Sequence, residues 1–100
     1  MKTIRVRYTV KPDYVETNKQ RVRAVIAALR ERNISSVKYV VHVEPDGRTF
    51  VHLATLSDPN DNVIPGLPEF AAFREGLAGN LESPPETQDW EVVGANFDVG

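Results

Sequence analysis

Apolar and polar residues alternate with a period of two over residues 3–10. Ile4, Val6, Tyr8 and Val10 fall on one side, and Thr3, Arg5, Arg7 and Thr9 on the other. This pattern predicts a strand with one apolar face. In Lys11-Pro12-Asp13 the proline cannot continue a ladder, and Asp13 with Glu16 three residues later predicts a helix N-cap with a capping box. The period then lengthens. Over residues 14–32, Val15, Val22, Val25, Ile26 and Leu29 share one helical stripe, and Arg21, Arg23, Arg30, Glu31 and Arg32 lie largely off it. Asn33 is the expected stop, because Asn tolerates the left-handed conformation.

Residues 37–43 and 49–56 are rich in β-branched side chains and predict two more strands. Between them, Glu44-Pro45-Asp46-Gly47-Arg48 predicts a hairpin with a type I turn and a glycine bulge, a three-residue loop that pairs Glu44 with Arg48. Residues 57–65, dense in Pro, Asn and Asp, predict a loop. Leu67, Phe70, Phe73, Leu77 and Leu81 recur at helical spacing, Pro68 suits a first helical turn, and Ser83-Pro84-Pro85 closes the segment. Residues 89–97 predict the last strand.

The order strand, helix, strand, strand, helix, strand is the split βαβ, or ferredoxin-like, arrangement of the α+β class. Right-handed crossovers put both helices on one face of a four-stranded antiparallel sheet. One domain over residues 1–100 is expected. With the three-residue loop, Tyr39, Val41, Val43, Val51 and Leu53 face the helices. Lys38, Val40, His42, Phe50, His52, Ala54 and Leu56 then join Arg5, Arg7 and Thr9 on the bare face. Phe50 and Leu56 would be wasted in water, so a two-fold homodimer packed sheet against sheet is expected, with a pocket in the seam.

Composition narrows the function classes. Twelve Lys and Arg against fourteen Asp and Glu give a net charge of -2, which favours neither a phosphate backbone nor an anionic membrane surface. An RNA-recognition module has the same order of elements but needs stacking aromatics on a basic sheet, and Phe50 alone is expected on the bare face. Cysteine is absent, excluding disulfides and thiolate chemistry. The alternating start is unlike a signal peptide and no apolar run could span a bilayer, so a cytoplasmic protein is expected.

Candidate chemistry is sparse. His42 and His52 are the only histidines. They are too few for a metal site without a neighbouring carboxylate, so none is expected. His52, mid-strand, is the candidate catalytic proton carrier. Arg5, Arg7 and His42 are candidate ligand-binding residues, the arginines for a carboxylate or phenolate; pairing of the arginines with Glu44 or Glu91 is the competing reading. Phe50, Phe70 and Phe73 would form apolar walls. Tyr8, Tyr14, Tyr39 and Trp90 read first as core or interface fillers.

With its opening strand running into Val10-Lys11-Pro12, its amphipathic first helix, its hairpin ending in Phe50-Val51-His52-Leu53 and its short second helix with Phe70-Ala71-Ala72-Phe73, the chain resembles the dimeric α+β barrel superfamily, in particular its antibiotic biosynthesis monooxygenase-like branch. The resemblance implies a dimer. It also implies, for relatives that oxidise polyketide-like aromatics, a pocket between sheet and helices that works without a bound metal or flavin. Relatives that degrade haem use an Asn, a Trp and a His in that pocket. Here the third strand ends in Leu56-Ser57, the second helix holds no His and the only Trp is Trp90, which argues against haem degradation. The expected function is a homodimeric binder of a hydrophobic or aromatic, anionic small molecule, with cofactor-independent oxidation or isomerisation as its chemistry. The alternative is a non-catalytic dimerising module whose pocket is filled by its own side chains.

Overall fold

A computed structural model describes residues 1–99 of the chain. The elements follow in the order β1 (Lys2–Thr9), α1 (Val15–Glu31), β2 (Val37–Val43), β3 (Thr49–Leu56), α2 (Pro68–Leu77) and β4 (Glu86–Glu91). All strand pairs are antiparallel, and the sheet order is β2-β3-β1-β4. This is the ferredoxin-like α+β arrangement expected from the element order.

Helix ends follow local chemistry. Pro12–Tyr14 forms a 3-10 turn that runs straight into α1, so Tyr14 takes the N-cap position and the expected Asp13 cap is not made. Asn33 does adopt the left-handed conformation, at φ 52°. The second helix stops at Leu77 and does not reach residue 81. Gly79 turns left-handed at φ 79°, and Asn80 donates from Nδ2 to the Gly76 carbonyl at 2.8 Å. Leu81 instead bridges Val10 in a short extension of the sheet.

The last strand also differs, starting at Glu86 and ending at Glu91. Pro84 and Pro85 have no N–H for a ladder, and the partner strand β1 begins at Lys2, which pairs with Glu91. Val93 and Phe97, inside the expected span of 89–97, lie beyond that ladder and are exposed.

The hairpin departs from expectation by one residue, with large consequences. Glu44 N–H donates to the Thr49 carbonyl at 2.7 Å, and Val43 lies opposite Phe50. The loop is therefore four residues, 45–48. Asp46 explains the difference: its Oδ1 accepts from the backbone N–H of both Arg48 and Thr49, each at 2.9 Å. Arg48 is thereby held in the loop and not in the ladder. A one-residue slip inverts the side-chain parity of β3. Phe50, His52, Ala54 and Leu56 consequently face the helices and are buried, beside Ile4, Val6 and Tyr8 of β1.

The core lies between this sheet face and the two helices. Val22, Val25, Ala28 and Leu29 of α1 and Phe73 and Leu77 of α2 close over Tyr8, Val37, Phe50 and Leu56. The opposite face carries Thr3, Arg5, Arg7, Val40, His42, Val51 and Leu53.

Candidate functional site

A cavity of about 510 Å³ opens between the sheet and α2. Ile4, Val6 and Tyr8 of β1, Tyr39 of β2, and His52 and Ala54 of β3 form its floor; Phe70, Phe73 and Leu77 of α2 form its roof. Its volume lies in the range of sites that enclose a small organic molecule, so the chain's own side chains do not fill it.

One polar chain interrupts these apolar walls. The Tyr8 hydroxyl and His52 Nε2 are 2.6 Å apart, and the Tyr39 hydroxyl and His52 Nδ1 are 2.5 Å apart. Asn18, reaching down from α1 and wholly buried, donates from Nδ2 to the Tyr8 hydroxyl at 2.9 Å. The members are brought together by the pleat: Val6 is opposite His52 in one ladder and Tyr39 opposite Ala54 in the next, so the three rings project from neighbouring strands on one face. Phe73 packs on both Tyr8 and His52, with centroids 6.1 and 5.2 Å away, and locks the rings in place.

Burial pushes the His52 imidazole down to about 4, so it is neutral at pH 7, with one ring N–H and one acceptor nitrogen. Burial likewise raises both tyrosine hydroxyls well above their ordinary value, keeping them protonated. The two hydroxyls and the imidazole thus carry three hydrogens, and the two links use two of them. One remains for a ligand. Because Tyr8 accepts from Asn18, it is polarised to donate to His52 Nε2, which leaves His52 Nδ1–H to donate to Tyr39. The spare O–H is then that of Tyr39, the half-buried end of the chain.

His52, Phe70 and Phe73 line this cavity. Phe50 is buried beside it, stacked on Tyr8 at 5.7 Å. Arg5, Arg7 and His42 stand on the opposite face of the sheet, so the expected shared face with His52 is corrected by the four-residue loop. Arg7 holds Glu44 with two bonds, Nε–Oε2 at 2.7 Å and Nη2–Oε1 at 3.2 Å. Arg5 lies over the Trp90 ring at 5.6 Å and donates to Gln88. The sequence reading missed Asn18, whose signal was a polar residue inside an apolar helical stripe. It also missed Arg74, the one charged residue among those lining the cavity. Among the described residues, no three His, Asp or Glu side chains gather as a metal site, and no helix is long and apolar enough to cross a membrane.

The bare sheet face carries its own shallow apolar groove, lined by Val40, Leu53, Trp90 and Phe97 with Thr3 and Thr55. Val40, Trp90 and Phe97 are 45%, 44% and 42% exposed.

No protein-family model matches the sequence, and no curated protein is significantly similar to it. Solved structures are. A crystal structure of an antibiotic biosynthesis monooxygenase superposes with a TM-score of 0.79 at 12% identity, covering 94% of this chain and 100% of the other. A protein classed with the antibiotic biosynthesis monooxygenases from Nitrosomonas europaea gives 0.81 at 17% identity, again over 94% and 100%. One from Deinococcus radiodurans gives 0.72 at 12% identity over the full length of both chains. The chain therefore has the ferredoxin-like fold of the antibiotic biosynthesis monooxygenase structures.

Proposed function

We propose that this protein encloses a small, largely apolar ring compound in the cavity under α2, gripping one hydroxyl or carbonyl oxygen through the Tyr39 hydroxyl, which His52 orients. The observation that carries this reading is the Tyr8–His52–Tyr39 chain set in the wall of a cavity of about 510 Å³. A buried polar network of this kind fixes geometry, although Asn18 Oδ1 is left without a partner. Here it leaves one donor over, and that donor meets an apolar cavity.

The reaction we assign, with no bound cofactor, is isomerisation of that ring compound or its oxygenation by dioxygen, one oxygen atom entering as a ring carbonyl and the other leaving as water with the two hydrogens of the ring CH2 it replaces. Neutral His52 is the proton carrier, reached from the ligand through the Tyr39 hydroxyl once the hydrogens of the chain reverse direction, so that Tyr39 donates to Nδ1 and Nε2–H donates to Tyr8. With its acidity shifted to about 4, it is a weak base, so the favoured substrates have acidic hydroxyls, as polyhydroxylated aromatics and enolised diketones do. The fold shared with antibiotic biosynthesis monooxygenases supports this choice of reaction by analogy.

The acting unit we propose is a homodimer formed across the bare sheet face. The support is the apolar groove of Val40, Leu53, Trp90 and Phe97, which a second copy would cover. A thermal-shift screen of phenols, quinones and aromatic acids tests the ligand reading. Ring compounds bearing a hydroxyl or carbonyl should raise the melting temperature of the wild type and raise it less in Tyr39→Phe. An equal response from the two proteins would remove the polar chain from the site.

A further inference from the structure

We propose that Arg74 is a specificity residue, selecting ligands that carry a carboxylate at the end opposite the hydroxyl gripped by Tyr39. This rests on the cavity under α2 being the ligand site, and it names the substrate class of that site: a hydroxylated aromatic acid.

The cavity is asymmetric in charge. Its buried polar members, Tyr8, His52 and, half-buried, Tyr39, are neutral. Arg74 is the only charged lining residue, and no Asp or Glu accompanies it. Arg74 is also exposed, so it marks where the cavity meets solvent. An anion bound there keeps part of its hydration and pays little for desolvation.

The guanidinium has no competing anchor. Its own helix offers Phe70, Ala71 and Leu77 at the spacings where side chains meet, none of them acidic. The arginines that do pair, Arg7, Arg32 and Arg48, hold Glu44, Glu69 and Glu82. Among the described residues Arg74 makes no ion pair or side-chain hydrogen bond. A planar fork of donors left free beside an apolar cavity suits the planar oxygens of a carboxylate.

The test compares 2-naphthol with 6-hydroxy-2-naphthoate by isothermal titration calorimetry. The expected result is a wild-type preference for the naphthoate of about three- to tenfold, the range for a charge-assisted bond at a partly exposed site, reduced by salt. Arg74→Gln should bring the ratio of the two dissociation constants to near one. Arg74→Lys should keep part of it, and Arg30→Gln, which removes the same charge from an exposed site on α1, should keep all of it. If naphthol binds but the naphthoate is not preferred, or the preference survives Arg74→Gln, Arg74 is not the selector and the cavity reading stands. If neither compound binds the wild type, the cavity reading falls and this assignment with it.

Discussion

The Tyr8 hydroxyl on β1 sits 2.6 Å from Nε2 of His52 on β3, a diagonal contact between side chains two register positions apart on the same sheet face. It exists because the β2–β3 loop has four residues. With a three-residue loop, His52 would point to the other side and the cavity would have no polar chain.

Burial of His52 predicts a pH dependence of stability. The unfolded chain takes up a proton as pH falls through about 6.5, whereas the folded protein resists until about 4. The contribution is whole above pH 6.5 and is lost as pH falls from 6.5 to 4, to a total of about 3 kcal/mol. Urea unfolding at pH 7 and pH 4.5 should show this loss, and His52→Gln should flatten the profile. A variant with the wild-type slope would mean that His52 is not held neutral by the fold.

The members of the polar chain should differ in cost. Tyr8→Phe strands both Asn18 Nδ2 and His52 Nε2, for a predicted destabilisation of about 2–4 kcal/mol. Tyr39→Phe strands only His52 Nδ1 and should cost about 1–2 kcal/mol. Denaturant midpoints give the ranking, and the reverse order would contradict the assigned chain.

Gly76 and Tyr14 should be coupled. A methyl group at Gly76 would overlap the Tyr14 hydroxyl, which is buried without a partner. Gly76→Ala should therefore destabilise the protein by about 1–3 kcal/mol. Tyr14→Phe should be neutral or stabilising, since it removes an unpaired buried hydroxyl. In that background Gly76→Ala should gain about 1 kcal/mol from helix propensity. A double-mutant cycle with no coupling would contradict the packing.

The dimer reading predicts a sedimentation mass twice the 11.2 kDa of one chain. Val40→Asp, on the bare face and 45% exposed, should return it to the single-chain mass without unfolding. A wild type that sediments at the single-chain mass at micromolar concentration would contradict it.

The strand limits of β2 and β3 were legible because β-branched runs bounded by Pro, Gly and Ser carry their own punctuation. The last strand was not, because its extent is set by where β1 begins and not by its own apolar residues. The parity of β3 hung on one side chain, Asp46, whose capture of two backbone N–H groups lengthens the loop. A turn pattern alone does not report that capture. That one residue separated His52 from Arg5, Arg7 and His42. Phe70 and Phe73 were placed by helical period, which no register slip affects. Asn18 was visible only as a breach in an apolar stripe, and its meaning required Tyr8 beneath it.

Side-chain ¹⁵N NMR of His52 during titration with 2-naphthol tests the ligand site most directly. The account predicts a saturable shift of the His52 ring nitrogens, with parallel changes at the backbone amides of Phe70 and Phe73 and none at the ring nitrogens of His42 across the sheet. Shifts confined to Trp90 and Val40, or none at His52 at saturating ligand, would contradict it.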